Sequence, residues 1–216
     1  MVSFKHFAFT LAASLIIALL ATVARADPYR IVGFGDSLMA GYGLQPGESF
    51  PEKLQTALKA KGFDVAIDNA GVSGDTSSGG LARLDWSTPD GAQLVILELG
   101  ANDMLRGVDP AVIEKNLDDM IARLKARNIA VLLAGMRAAP NLGPAYQAAF
   151  DGIFPKLAQK HQLPLYPFFL DGVVADKNFL LEDGMHPNAR GVERMVERFL
   201  PAIEPLLPAA SQPKGQ

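Results

Sequence analysis

The chain has 216 residues, with 20 Lys and Arg against 23 Asp and Glu, so its formal net charge is -3; a nucleic-acid binder normally carries a basic excess or a basic stripe, and this balance argues against one. Its 49% apolar and 20% charged residues suit a soluble globular protein and are too apolar for a disordered one. No cysteine occurs, which removes disulfide scaffolds, zinc ribbons, thiol nucleophiles and cysteine-linked lipids together, and histidine is limited to His6, His161 and His186.

Lys5 and His6 precede an uncharged apolar run over 7–24, and Ala24-Arg25-Ala26 then supplies the small residues that a signal peptidase reads. Residues 1–26 are therefore read as a cleaved secretory signal. The competing reading is an uncleaved anchor, since the run approaches the ~17-residue lower limit of a spanning helix; the A-x-A ending and the immediate Asp27-Pro28 favour cleavage. What remains is an acidic chain of 190 residues, with 18 basic and 23 acidic side chains, expected to be periplasmic or secreted and without a stable membrane anchor. That length buries an adequate core without disulfides.

Short runs rich in Val, Ile and Leu follow at 29–34, 64–67, 94–99, 129–133 and 165–168. They are mostly not alternating, as strands buried on both faces should be. Between the first and second, Ser49-Phe50-Pro51-Glu52 reads as a capping box opening a helix that Gly62 ends. Asp109-Pro110 supplies an N-cap and an N1 proline before a stripe of Ile113, Leu117, Met120, Ile121 and Leu124. A helix over 145–161 carries Tyr146, Phe150, Ile153, Phe154 and Leu157 inward, with Pro155 expected to kink it. The last helix runs from Ala189 to about Leu200 and ends near Pro201. Strands alternating with helices predict βαβ units, hence an α/β fold: one three-layer α/β/α sandwich over 27–207 with a central five-stranded parallel sheet, and a flexible tail at 208–216.

Ligands of open parallel sheets bind beyond the carboxyl ends of the strands. Those positions hold Gly35-Asp36-Ser37-Leu38, Asn69 to Thr76, Gly100-Ala101-Asn102-Asp103 and, after the fifth strand and a loop, Asp183-Gly184-Met185-His186-Pro187. Singly, each has a plain explanation: Ser37 or Asp183 as a helix cap, Gly74 as a turn glycine, Asn102 as an Asx turn, and His186 as a surface residue. Jointly, a serine, a histidine, a carboxylate three residues from that histidine and two potential oxyanion donors make the parts list for acyl transfer.

These blocks resemble the SGNH, or GDSL, hydrolase superfamily: FGDSL carries the serine, SGDTS the glycine, LGAND the asparagine and DGMHPN the histidine, in the family's order. The resemblance spans residues 30–205 and is nearest the bacterial thioesterase I, arylesterase and lysophospholipase L1 subgroup. One departure is Ala101, where glycine is often found. The resemblance implies a flavodoxin-like sheet, no cofactor, no metal, and a small-molecule acyl ester, aryl ester, thioester or lysophospholipid as substrate. In the mechanism these residue types allow, Ser37 attacks the acyl carbonyl and His186 takes and returns the proton. Asp183 orients the imidazole, and the oxyanion is held by the backbone amides of Ser37 and Gly74 and the side chain of Asn102. Ser37 also begins a predicted helical segment, whose positive end favours the developing anion. Asp36 and Asp103 are assigned turn-shaping roles. Leu105, Leu142 and Met185 are candidates for an apolar acyl wall, and Arg106 for an anionic head group.

The competing readings lack their motifs. Gly33-Phe34-Gly35 misses the third glycine of a dinucleotide fingerprint, and there is neither HExxH nor G-x-S-x-G. A carbohydrate acetyl esterase, or a non-catalytic lipid- or carbohydrate-binding protein on the same fold, remains as the alternative.

Overall fold

The structure, a computed structural model, describes residues 27–174 and 176–209. The predicted secretory segment and the end of the predicted tail lie outside the described residues.

β1 (Tyr29–Gly35), β2 (Val65–Gly71), β3 (Leu94–Glu98), β4 (Ala130–Ala134) and β5 (Leu165–Tyr166) form one parallel sheet in the order β2-β1-β3-β4-β5. All five residues of β3 are buried, as a strand covered on both faces requires. β2 extends past the expected Ile67 because Asp68 to Gly71 stay in register with Val32 to Gly35. Its polar residues are tolerated on an edge strand, where Asp68 pairs with Arg30 at 2.9 Å. β5 is shorter than expected, since Pro164 and Pro167 flank it and neither has an amide to donate to the ladder.

Helix α1 (Ser37–Ala40) is a single turn. α2 (Phe50–Ala60) opens with the expected capping box, in which Glu52 Oε2 accepts from the Ser49 amide at 3.1 Å and from its hydroxyl at 2.6 Å. α3 (Ser77–Ser87) and α4 (Ala101–Leu105) carry no clear pattern in the sequence, and the Gly79-Gly80 pair in α3 lowers helix propensity. α5 (Pro110–Ala126) begins at Asp109, whose Oδ1 accepts from the Ala111 amide at 2.9 Å, and buries the predicted stripe.

The helix expected over 145–161 is two, α6 (Pro144–Asp151) and α7 (Ile153–His161), divided at Gly152. Pro155 does not kink it: as the third residue of α7 it occupies a position whose amide needs no intrahelical partner. α8 (Ala189–Ile203) likewise runs through Pro201 to Ile203, which is fully buried; packing of that last turn outweighs the missing amide. α2 lies against α8, while α3 packs on α5 and α5 on α7, forming the two helical layers. Phe50, Phe169 and Phe199 meet edge to face in one aromatic cluster, and Phe150 and Phe154 in another.

The strand order positions the site. β1 and β3 are neighbours, yet the chain leaves β1 toward β2 on one side and β3 toward β4 on the other. The loops after these two strands therefore diverge and open a crevice at the topological switch point.

Candidate active site

Ser37 stands at the mouth of that crevice, at the start of α1. Asp36 caps the turn, its Oδ1 accepting from the Leu38 amide at 3.0 Å, and Gly41 closes it in the left-handed region. With only four residues the turn has little macrodipole; what it offers is individual backbone amides. The Ser37 Oγ lies 2.8 Å from Nε2 of His186, a contact across 149 positions of sequence.

His186 and Asp183 come from the loop between β5 and α8. Asp183 Oδ2 is 2.6 Å from His186 Nδ1, and its Oδ1 accepts from the amides of Met185 at 2.9 Å and His186 at 3.0 Å. These hydrogen bonds, led by that from the His186 amide, hold the Asp183 carboxyl down at about 2. An ionised Asp183 accepts a hydrogen bond from Nδ1–H of neutral imidazole and leaves Nε2 as the acceptor facing the serine hydroxyl. The loop is tied back by Asn188, whose side chain donates to the carbonyls of Asn178 and Leu180, both at 3.0 Å. Tyr42 packs on the imidazole with ring centroids 4.5 Å apart. Asn188 closes the DGMHPN block, whereas no motif marks Tyr42.

Asn102 begins the second turn of the crevice, in α4, and its Nδ2 donates to Asp36 Oδ2 at 2.9 Å. Ala101 is an ordinary helical residue without positive φ, so its methyl is accommodated there. Gly74 sits in the turn after β2 with φ +81, a conformation that favours glycine. That turn is joined to β1 through the Val72 amide, which donates to Gly35 O at 3.0 Å. Asp103 accepts from the amide and hydroxyl of Ser77, each at 2.7 Å, and so fastens α4 to the start of α3.

Ser37, Asn102 and His186 line a cavity of about 360 Å³. Its apolar wall includes Met104, Met136, Phe168 and Leu170, none of them among the acyl-wall candidates Leu105, Leu142 and Met185. Leu105 and Met185 contribute at the rim, more than half exposed. Leu142 does not line it: the short turn Pro140–Leu142 curls this side chain against the core. Arg106 is also absent from the wall. Its Nη2 donates to the Gly74 carbonyl at 2.9 Å, so it braces the glycine turn.

Beneath the site lies Glu98, the last residue of β3, fully buried beside Asp36 and unremarked in the sequence. Burial raises both carboxyls, Asp36 to about 6 and Glu98 well above the usual carboxylate range; the like charge of Asp36 raises Glu98 further, and Asp36 is held back from a larger rise chiefly by its hydrogen bonds from Leu38 and Asn102. Among the described residues no group of three or more His, Asp or Glu is arranged to hold a metal ion, and no helix is long and apolar enough to cross a membrane.

Residues 34–194 match the GDSL-like Lipase/Acylhydrolase family. The chain is 42% identical over 178 residues to an arylesterase of Vibrio mimicus, covering 81% of this chain and 88% of that protein. It is 36% identical over 185 residues to thioesterase 1/protease 1/lysophospholipase L1 of Escherichia coli K12, covering 85% and 86%. Among solved structures it is similar to AlinE4, described as an SGNH-hydrolase family esterase, with 48% identity, a TM-score of 0.72, and coverage of 86% of this chain and all of that one. The chain belongs to the GDSL-like lipase/acylhydrolase family and is an ester hydrolase.

Proposed function

We propose that the chain hydrolyses acyl esters and thioesters through an acyl-enzyme on Ser37, with His186 as general base and acid and Asp183 as its orienting carboxylate. The observation that carries this reading is the continuous contact from Ser37 Oγ through both ring nitrogens of His186 to Asp183, opening onto an apolar cavity. In the first step the hydroxyl proton passes to Nε2 as Oγ bonds the acyl carbon. The charge on the carbonyl oxygen is met by the amides of Ser37 and Gly74 and the side chain of Asn102. Nε2 then gives its proton to the departing alcohol or thiol. Water repeats the sequence in reverse roles and frees the acid. The names of the relatives support aryl esters, acyl thioesters and lysophospholipids as substrate classes.

The cavity's Met104, Met136, Phe168 and Leu170 favour acyl chains over the sugar acetates of a carbohydrate esterase. A series of p-nitrophenyl esters tests this. Each added methylene that enters the cavity is expected to raise kcat/KM by about fourfold, from ~0.8 kcal/mol per buried CH₂. Activity confined to the acetyl ester would overturn the acyl-cavity reading. Labelling by a fluorophosphonate tests the nucleophile, with uptake expected in the intact chain and lost in Ser37→Ala. The A-x-A ending and apolar run support export with cleavage after Ala26, giving a periplasmic or secreted domain over 27–207. Mass spectrometry of the exported protein is expected to find Asp27 at its N-terminus.

A further inference from the structure

We propose that Asp36 and Glu98 are positioning residues for the side-chain amide of Asn102, together presenting an N–H and not a carbonyl to the acyl oxygen. The inference rests on the reading of Ser37 and Asn102 given above. An asparagine side chain has two donors at one end and an acceptor at the other, and a half-turn exchanges them. Only one orientation of Asn102 can stabilise an oxyanion. Asp36 Oδ2, 2.9 Å from Asn102 Nδ2, accepts hydrogen bonds and in its ionised form donates none. It therefore rejects the turned-over amide, whose carbonyl would face a carboxylate. One N–H of Asn102 is held by Asp36, and the other is left for the cavity that Asn102 lines.

Asp36 is itself fixed from two sides. Its Oδ1 accepts from the Leu38 amide, so the carboxylate cannot rotate freely, and its backbone N–H donates to Glu98 Oε2 at 3.3 Å. Glu98 comes close because residue 35 has no side chain: a Cβ on Gly35 would lie 2.5 Å from that same Oε2. The other carboxyl oxygen of Glu98, Oε1, is buried with no hydrogen-bond partner among the described residues, a costly placement for a group that only packs. Burial and the neighbouring Asp36 favour the protonated form of Glu98. At pH above about 6, where Asp36 ionises, the negative charge of the pair sits on Asp36, where Asn102 needs it. The other charged or titratable groups nearby are Arg83, which donates to Gly35 O and Asp75, together with Asp75 and His186.

The test is a double-mutant cycle on a p-nitrophenyl ester. Asp36→Asn replaces the acceptor facing Asn102 by an amide and is expected to lower kcat roughly 10- to 100-fold with little change in KM, approaching the loss of an oxyanion donor. In an Asn102→Ala background the same substitution is expected to change kcat by less than about threefold, because the group it positions is gone. An equal loss in both backgrounds, as a purely structural role would give, overturns the proposal. So does no loss in either. If Asp36→Asn does not fold, Glu98 carries the test. Glu98→Gln keeps an acceptor for the Asp36 amide and is expected to retain more turnover than Glu98→Leu; equal losses overturn the proposal. Fluorophosphonate labelling of the unmutated chain separates the two levels. Failure to label Ser37 removes the underlying mechanism and this proposal with it, whereas labelling with an additive cycle removes the positioning role alone.

Discussion

Arg83 Nη2 donates to the carbonyl of Gly35, two residues before Ser37, at 2.9 Å. From the same guanidinium, Nε donates to Asp75 at 2.7 Å and Nη1 to the Ala70 carbonyl at 2.8 Å, with the plane over the Phe34 ring at 4.0 Å. One buried cation thus joins the ends of β1 and β2 to the residue after Gly74. Arg83→Met leaves Asp75 as a nearly buried charge without its counter-ion. The expected loss is ~3 to 5 kcal/mol of unfolding free energy, measured by urea denaturation. Arg83→Lys should recover only part of it, since an ammonium cannot reproduce the planar fork. A loss below about 1 kcal/mol, the scale of a surface ion pair, would contradict this account.

Asp183→Asn preserves the acceptor for the two loop amides but can turn an N–H toward His186 Nδ1. That stabilises the tautomer with hydrogen on Nε2, which cannot accept the serine proton. Turnover is expected to fall roughly 10²- to 10⁴-fold with KM little altered. Steady-state kinetics at saturating ester decide it. Unchanged kcat would remove Asp183 from the relay.

The hydrogen bonds that hold Asp183 at about 2 also link it to stability. Its folded value lies below the unfolded one, so its contribution is present above the unfolded carboxyl value and is lost as pH falls toward 2. Asp183→Ala should therefore destabilise the fold at pH 7 and progressively less below pH ~4. The side chain is partly exposed, which screens the effect. Urea midpoints across that range are the readout, and a difference that does not vary with pH would refute the linkage.

Glu98 behaves in the opposite sense. Its folded value is raised, so the folded state binds its proton more tightly and stability falls as pH rises past the unfolded carboxyl value. Glu98→Gln cannot ionise. The stability of the variant relative to the parent should grow with pH from about 4.5 toward neutrality, by up to ~1.4 kcal/mol per pH unit. A flat difference would show that Glu98 titrates normally.

Filling the cavity tests where the acyl chain goes. Ala139 lies on its wall, and Ala139→Phe should lower kcat/KM for an octanoyl ester about fourfold for each methylene it displaces, at ~0.8 kcal/mol each, while sparing the acetyl ester. Equal effects on both esters would put the chain elsewhere.

The sequence by itself determined the layer architecture and which polar residues gather at one edge of the sheet. The buried strands, the Ser49 and Asp109 caps and the α5 stripe are legible because they depend on residues a few positions apart, whose pattern is local. Ser37, Gly74, Asn102, Asp183 and His186 are legible as a set because a parallel sheet places every strand's carboxyl end at one edge. The helical break at Gly152 and the continuation through Pro201 were not, because each depends on packing between distant segments. The same holds for the site's supports. Arg106 is an exposed loop arginine until the Gly74 carbonyl is placed beside it, and Leu142 is an acyl wall until its turn is seen to face the core. Glu98 reads as a misplaced charge in an apolar strand, and only the close approach of β1 and β3 at Gly35 sets it against Asp36 and gives its burial a partner.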